Sequence, residues 1–600
     1  MLARPTHERP SPHQPTLNIP DRPTTRKLWV VFAVLLLLRL PVLGWGFGFD
    51  DYTHQWVLSE DLDHATLGPA TLFEFGDAPA EGTQTFNRGI FPFWTDQDMS
   101  ARFLRPITSL SITLDHALFG TNALGYHLIQ LAGFALLLIL LRRFYLHIGL
   151  SPWLAVLAVV IFGVEDGSTP AVGWIANRST LIAAIGFVIG LHALHRARTT
   201  DAGKHYVVAT LGALLALGAK ESGIGMLAVI VVGSCFRLHP DWRQRTRRGS
   251  ITGITVALLI LIYGITYVSL GYGTRTAFYP TPWTDMQGFL KFQALHLTSG
   301  LATSCGPFIT DLAVMHESMR PSIIAVGTIV LALLARPVAR SVRELPAGPL
   351  LLIGALLGFG PQLLAAPSDR LIFVPMIGFA PLLATTIRRG LRSTQTVRRI
   401  GARTLVGTTL ILSPLSMLAV QNGLGLQMRL AREWIGQFDK VEQEVRDVVL
   451  LQAPFGTMML SFRAQFIMQG GDPDLRFWPI QFNRRALRLS RPSADQLVIE
   501  TLDESFMTLP FEYVYRSSRE VPALGKRYPS VLFDAVVMEV DETGPRKIEF
   551  TIRAGDGRNF DDESIDFRTW DGTAFVSVLP PAIGQELELV RPPEPFPFAP

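Results

Sequence analysis

Cysteine is nearly absent from this chain: Cys235 and Cys305 are the only two among 600 residues. A disulfide scaffold and a cysteine-rich metal site are thereby excluded. Charge is scarce too, at 17% of residues, where a soluble globular chain carries about 25%. The shortage is uneven, since the last 180 or so residues have ordinary soluble composition and the rest is correspondingly apolar. No internal repeat of the tetratricopeptide kind is present. No nucleotide-binding βαβ pattern surrounds Asp61-Leu62-Asp63 or Asp96-Gln97-Asp98, acidic triplets of a form that arises often by chance. The first apolar run is not followed by a small-residue cleavage site, so it reads as an uncleaved helix rather than a secretory signal.

What the chain has instead is hydrophobic length. The composition is 48% hydrophobic and the mean hydropathy is +0.29. About eleven segments approach the ~20 apolar residues that cross a bilayer. They are Leu28–Phe47, Leu124–Leu141, Trp153–Val164, Arg178–Leu194, Tyr206–Gly218, Gly223–Phe236, Ile251–Leu270, Ser322–Ala335, Leu350–Ala366, Leu371–Ile387 and Leu405–Val420. Basic clusters recur in alternate loops, at Arg142/Arg143, Arg196–Lys204, Arg237–Arg248, Arg336–Arg343 and Arg388–Arg403. Cytoplasmic loops collect lysine and arginine, so that side and the N-terminus are expected in the cytoplasm, with the C-terminal segment outside. Phe289–Cys305, which carries Lys291, Gln293 and His296, reads as a helix lying on the outer surface rather than an extra crossing.

The expected fold is mainly α: a tail at 1–27 of disordered composition, a transmembrane domain at 28–421 with a large first outer loop at 48–123, and a β-rich, sandwich-like domain at 422–600. An amphipathic helix, Met428–Val448, leads into the last. Alternating runs at Val448–Gln452, Leu497–Thr501, Val531–Val540, Lys547–Ile552 and Thr573–Val578 supply its strands, with turns such as Gly470-Gly471-Asp472-Pro473 between them.

Charged residues beside apolar spans are costly and point to function. Asp50-Asp51 follow the first span directly. They either provide a general base whose pKa is raised by its neighbours, or simply begin a solvated helix. Arg102 and Arg105 open a segment that runs through Asp115-His116 to Tyr126-His127. They either hold a phosphate by paired donors or snorkel to headgroups. Lys220-Glu221 occupy a tight outer turn, as binding groups or as a self-neutralising pair. Ser368-Asp369-Arg370 form a second tight turn, where Arg370 stands on the face opposite to the topology-setting arginines. Glu165-Asp166, in the second outer loop, offer further carboxylates. His296, His316 and Cys305 lack metal-ligand spacing.

Several ordered stretches together resemble a family. They are Phe49-Asp50-Asp51-Tyr52, Arg105-Pro106-Ile107-Thr108 continuing to Gly125-Tyr126-His127, Ala171-Val172-Gly173-Trp174-Ile175-Ala176-Asn177-Arg178, Ala219-Lys220-Glu221-Ser222-Gly223, and Asp369-Arg370-Leu371-Ile372-Phe373-Val374-Pro375. The set is similar to GT-C glycosyltransferases that use polyprenyl-phosphate sugars, especially bacterial relatives of protein O-mannosyltransferases, without the repeat domain of the animal relatives. An acidic residue often precedes the family's Ala-Val-x-Trp stretch; here Pro170 stands there, and the acids lie at Glu165 and Asp166.

The resemblance implies inverting sugar transfer on the outer face of a bacterial inner membrane. Asp50 and Asp51 would form the catalytic pair, with Asp50 the base. Arg105, Glu165, Asp166, Lys220, Glu221 and Arg370 would bind substrate. The partners implied are a polyprenyl-phosphate sugar donor, a protein or envelope-glycan acceptor and the lipid bilayer, with no nucleic acid. A divalent cation is the one cofactor left open. The alternative is a non-catalytic scaffold or lipid-carrier-binding protein of the same shape; a transporter fits less well, because the charges cluster at one face.

Overall fold

The computed structural model describes residues 25–59, 68–78, 81, 90–244, 246–307, 310–440, 444–553 and 557–594. The tail expected at 1–27 and the Asp61-Leu62-Asp63 triplet lie wholly or mostly outside these residues.

All eleven apolar segments fall on helices. Six are long and apolar enough to cross a membrane: Thr25–Gly44, Ala123–His147, Arg178–Thr200, Arg247–Ser269, Glu317–Glu344 and Thr396–Phe438. A seventh arises if Pro152–Gly163 and Asp166–Gly173, bent by 65°, form one span. Gly203–Ala219, Glu221–Cys235 and Gly348–Leu364 are shorter apolar helices. The chain is a multi-pass membrane protein. On the helix Arg247–Ser269, Ile251, Ile254, Leu258, Leu261 and Ile265 are all exposed, an apolar face that water would penalise and lipid would not. The run after Phe289 turns through a π-helical segment at His296–Gly300 and is not among the six.

Close helix approach rests on glycine at several places. Gly186 and Gly190 stand four apart on Arg178–Thr200, and a Cβ at Gly186 would meet Gly212 O at 2.6 Å. That is the small-residue contact by which membrane helices pack without a hydrophobic driving force. Elsewhere a Cβ at Gly378 would lie 2.1 Å from Leu351 O.

The C-terminal region is β-rich. A six-stranded antiparallel sheet runs in the order Glu586–Leu589, Leu487–Ser490, Gln496–Thr501, Pro545–Ile552, Phe533–Val540, Arg527–Pro529. A four-stranded sheet runs Phe575–Ser577, Ile565–Trp570, Asp447–Leu450, Arg476–Pro479, with Asp447–Leu450 parallel to both neighbours. Both sheets contribute to one core, where Trp478 meets Phe533 with ring centroids 5.8 Å apart.

Two expectations need correction. The amphipathic helix expected at Met428–Val448 is not a separate element. It is the end of the last span, in a helical run of 43 residues, about 64 Å long at 1.5 Å per residue. Its Ala431, Trp434, Ile435 and Phe438 enter the β-rich core, so a boundary at 422 falls inside a helix. Nor is that core built from C-terminal residues alone. Phe93, Trp94 and Met99 of the first loop are buried in it, with Trp94 against Phe482 at 5.2 Å. Asp96 adds a polar tie, accepting from Lys526 Nζ at 2.6 Å and from Ser517 N–H at 3.1 Å. The Asp96-Gln97-Asp98 triplet therefore serves a tether.

Candidate active site

Asp50 opens the helix Asp50–Ser59. The residue before it, Phe49, is held at φ +48°, a left-handed conformation that L-residues with bulky side chains adopt only under constraint. Three contacts supply that constraint. The Phe49 ring packs on Trp174 at 5.5 Å. Arg432, from the last span, donates to Trp45 O at 2.6 Å and Phe47 O at 3.3 Å. Asp51 accepts from Gly48 N–H at 3.1 Å and, with its other oxygen, from Ala176 N–H at 2.7 Å.

The two carboxylates thus part company. Asp51 is 1% exposed and pins this turn to the Ala171–Arg178 stretch. Burial pushes it up to about 8, against the pull of its two amide donors. Asp50 is half-buried. Burial pushes its carboxyl up to about 6, and the guanidiniums of Arg370 and Arg105 oppose the rise. A carboxylate so placed is mostly ionised at neutral pH yet basic enough to accept a proton, as general-base catalysis requires.

The cations come from three separate turns. Arg105 donates its Nε to Glu221 at 3.0 Å, with its Nη2 also 3.0 Å from the same oxygen, and lies over Phe103 and Phe73 at 4.5 and 5.0 Å. Lys220 does not pair with its neighbour Glu221; its Nζ donates to Thr180 Oγ1 at 2.8 Å. Burial, then the charges of Arg105 and Arg370, pull its ammonium well below the ordinary lysine range. Arg370 lies over the Trp174 ring at 5.6 Å. Among the described residues it forms no ion pair, and its buried Nε finds no acceptor.

The Arg370 turn is fixed from behind. Thr303 Oγ1 donates to Asp369 at 2.9 Å and Thr310 N–H does so at 3.2 Å. Gly167 presses on the same turn: a Cβ there would lie 2.3 Å from Asp369 O. Glu165 and Asp166, 3% and 5% exposed, are engaged within this packing. Glu165 accepts from Gly167 N–H at 2.9 Å and Asp166 from Ser416 Oγ at 2.6 Å, while Arg39 donates to Gly163 O at 2.9 Å beside them. They brace the turn that carries Arg370, whereas Asp50, Arg105, Lys220 and Arg370 act on one another directly.

Below the site, Arg178 pairs with Asp115 and donates to Tyr126 O at 3.0 Å. Both charges are nearly fully buried, and the pair locks Pro106–Phe119 onto the two long helices.

Several contributors escape sequence reading. Glu74–Asp77 pairs antiparallel with Ser100–Arg102, and that strand with Gly273–Arg275. This small sheet sets the following loop so that Tyr279 feels the charges of Arg370, Asp50 and Arg105. Tyr515, from the C-terminal region, feels Asp50 as well. Ala277 N–H donates to Arg516 O at 2.6 Å, joining these two loops. Pairings over such sequence distances leave no local periodicity; the one available hint was the aromatic content of both loops. Among the described residues, no three His, Cys, Asp or Glu side chains gather as a metal-ligand group.

No family model and no curated protein matches the chain. Solved structures do. The oligosaccharyltransferase of Archaeoglobus fulgidus, tethered with an acceptor peptide containing the NVT sequon, aligns at 11% identity and TM-score 0.42, covering 77% of this chain and 64% of that one. ArnT from Cupriavidus metallidurans bound to undecaprenyl phosphate aligns at 11% and 0.38, covering 76% and 90%. The arabinofuranosyltransferase AftD from Mycobacteria aligns at 15% and 0.39, covering 89% and 42%. This chain therefore spans less than two thirds of the archaeal enzyme and of AftD. With every TM-score below 0.5, the functional reading rests on the site's own residues.

Proposed function

We propose that this protein is a membrane glycosyltransferase of the GT-C type. More particularly, it moves a sugar from a polyprenyl-phosphate donor to an acceptor hydroxyl, on the outer face of the membrane and with inversion. The single observation that carries this reading is a half-buried Asp50, pushed up to about 6, beside the cations Arg105, Lys220 and Arg370 drawn from three turns.

Asp50 takes the proton of the acceptor hydroxyl as its oxygen attacks the anomeric carbon. The bond from that carbon to the prenyl phosphate breaks, and the phosphate leaves with one more negative charge. Fixed cations are worth most where such charge develops. Arg370, which forms no ion pair among the described residues, is the natural contact for the leaving phosphate. Arg105 is held by Glu221 and supports the field, and Lys220 completes it. Asp51 positions Asp50, and Glu165 and Asp166 hold the Arg370 turn. The long last helix and the Trp94 anchor fix the C-terminal region over the pocket, where it contributes Tyr515. The acceptor belongs between that region and Asp50.

Purified full-length protein should consume one member of a panel of polyprenyl-phosphate sugars when a hydroxyl acceptor is supplied, followed by mass spectrometry. A protein that binds such lipids but never turns them over, under conditions where Asp50→Asn binds them equally, is a carrier-binding scaffold instead. Orientation is tested by a reporter fused after Pro600, which should respond as extracytoplasmic.

A further inference from the structure

Two helices that begin beside the candidate active site end, at their other extremity, in a group of charges whose reading so far is only topological. Ala123–His147 begins beside the site, where Tyr126 O accepts from Arg178. It runs 25 residues, about 37 Å. Arg178–Thr200 starts at the same place and runs the same way. Where they finish, Arg143, Leu146 and His147 of one helix and His192 and Arg196 of the other line a shallow recess of about 500 Å³.

No carboxylate lines this recess. Among the described residues, neither Arg143 nor Arg196 forms an ion pair, unlike Arg388 of another basic loop, which has Glu344 at 3.0 Å. Behind the arginines stands a chain of imidazoles in tilted and edge-to-face contact. His147 meets His192 at 4.6 Å and His195 at 5.0 Å, and His195 meets His239 at 4.6 Å between ring centroids. His195 is 5% exposed, and among the described residues neither of its ring nitrogens finds a hydrogen-bond partner. Asp241 sits 3.6 Å from His239, at the far end of this chain of imidazoles. The histidines do not come together as a metal-ligand set. Two guanidinium forks and two imidazole donors around one recess, without a counter-charge among the described residues, match a phosphate group.

We propose that this recess binds the phosphate of an anionic ligand at the basic face of the membrane. The two sources of that chemistry are a phospholipid headgroup and free phosphate. At this level of the chain, beside the ends of two spans, basic pockets between helices attract anionic headgroups. Each arginine near an anionic surface contributes about five-fold in affinity.

The test uses full-length protein in neutral detergent, with phosphatidylglycerol, phosphatidylcholine and inorganic phosphate as probes and native mass spectrometry as readout. Phosphatidylglycerol should be retained over phosphatidylcholine. The double variant R143Q/R196Q should weaken it about 30-fold, and H147Q/H192Q should weaken it by a few-fold. Displacement of phosphatidylglycerol by millimolar inorganic phosphate would support the site and assign it to free phosphate; resistance to displacement assigns it to the headgroup. Equal retention of the two lipids by the unmodified protein, or full retention of phosphatidylglycerol by R143Q/R196Q, overturns the proposal. Both arginines are exposed, so their replacement leaves folding intact, which a thermal unfolding trace confirms.

Discussion

Asp50→Asn should make the protein more stable while it removes activity. Burial raises the Asp50 carboxyl from 3.8 to about 6, so the folded state disfavours the ionised form. A shift of that size corresponds to about 3 kcal/mol for a charge cut off from water. Asp50 is half-buried, and water screening reduces this to on the order of 1–2 kcal/mol. The sign follows from linkage. A group whose folded pKa is raised favours folding when protonated, below its unfolded value, and loses that benefit as pH rises through about 6. Asparagine is neutral throughout. The variant should therefore unfold at a higher temperature than the parent at pH 8, and the gap should close between pH 6 and pH 4. Turnover should fall roughly 10²–10⁴-fold, the usual contribution of a general base. Thermal unfolding of detergent-solubilised protein at several pH values, paired with a donor-consumption assay, reads both effects. A variant less stable than the parent at pH 8, or a gap that does not change with pH, would refute the reasoning about burial.

Other outcomes follow from the same geometry. Parent turnover should decline as pH drops through about 6, because the base must be ionised. Arg370→Ala should lower turnover strongly and move that acid limb upward by about one unit, since the guanidinium opposes the rise in Asp50. Arg370→Lys should restore the limb but only part of the rate, for lack of a planar fork. Asp51→Ala should destabilise the fold by about 1–3 kcal/mol for each amide left unsatisfied, with Asp51→Asn recovering part of it in thermal unfolding. Gly167→Ala should reduce turnover without touching a charge, because its Cβ would push Asp369 O away; unchanged kinetics would remove Gly167 from the support of Arg370. Trp94→Ala should cost about 3–5 kcal/mol and open the C-terminal region to limited proteolysis.

Much of this arrangement is legible in sequence because it is local. Apolar length marks each helix, alternation marks the strands, and a carboxylate, arginine or lysine next to an apolar span marks each turn of the site. Asp50, Arg105, Lys220 and Arg370 stand out as candidates in that way. What sequence does not show is partnership. Lys220 and Glu221 are adjacent, yet one bonds Thr180 and the other Arg105. Asp50 and Asp51 look interchangeable until the amides of Gly48 and Ala176 claim the second. Glu165 and Asp166 read as substrate-binding acids, and the structure buries them with Gly167 and Ser416 as their hydrogen-bond donors. Each of these is decided by contacts across forty residues or more, or by which way a backbone turns.

The Trp94 anchor also imposes an order in time. Its ring is enclosed by residues such as Phe482, made nearly four hundred residues later. At 5–20 residues per second, the first loop waits about 20–80 s on the nascent chain before its cover is synthesised. Throughout that interval Phe93 and Trp94 are exposed, close to a freshly inserted helix and the lipid surface. The surroundings of Asp50, to which Tyr515 contributes, cannot be complete until translation is nearly over. A ribosome that stalls in the last quarter of the message would leave the spans inserted and the candidate site open, a half-made protein presenting two aromatic rings to any chaperone or protease on that side of the membrane.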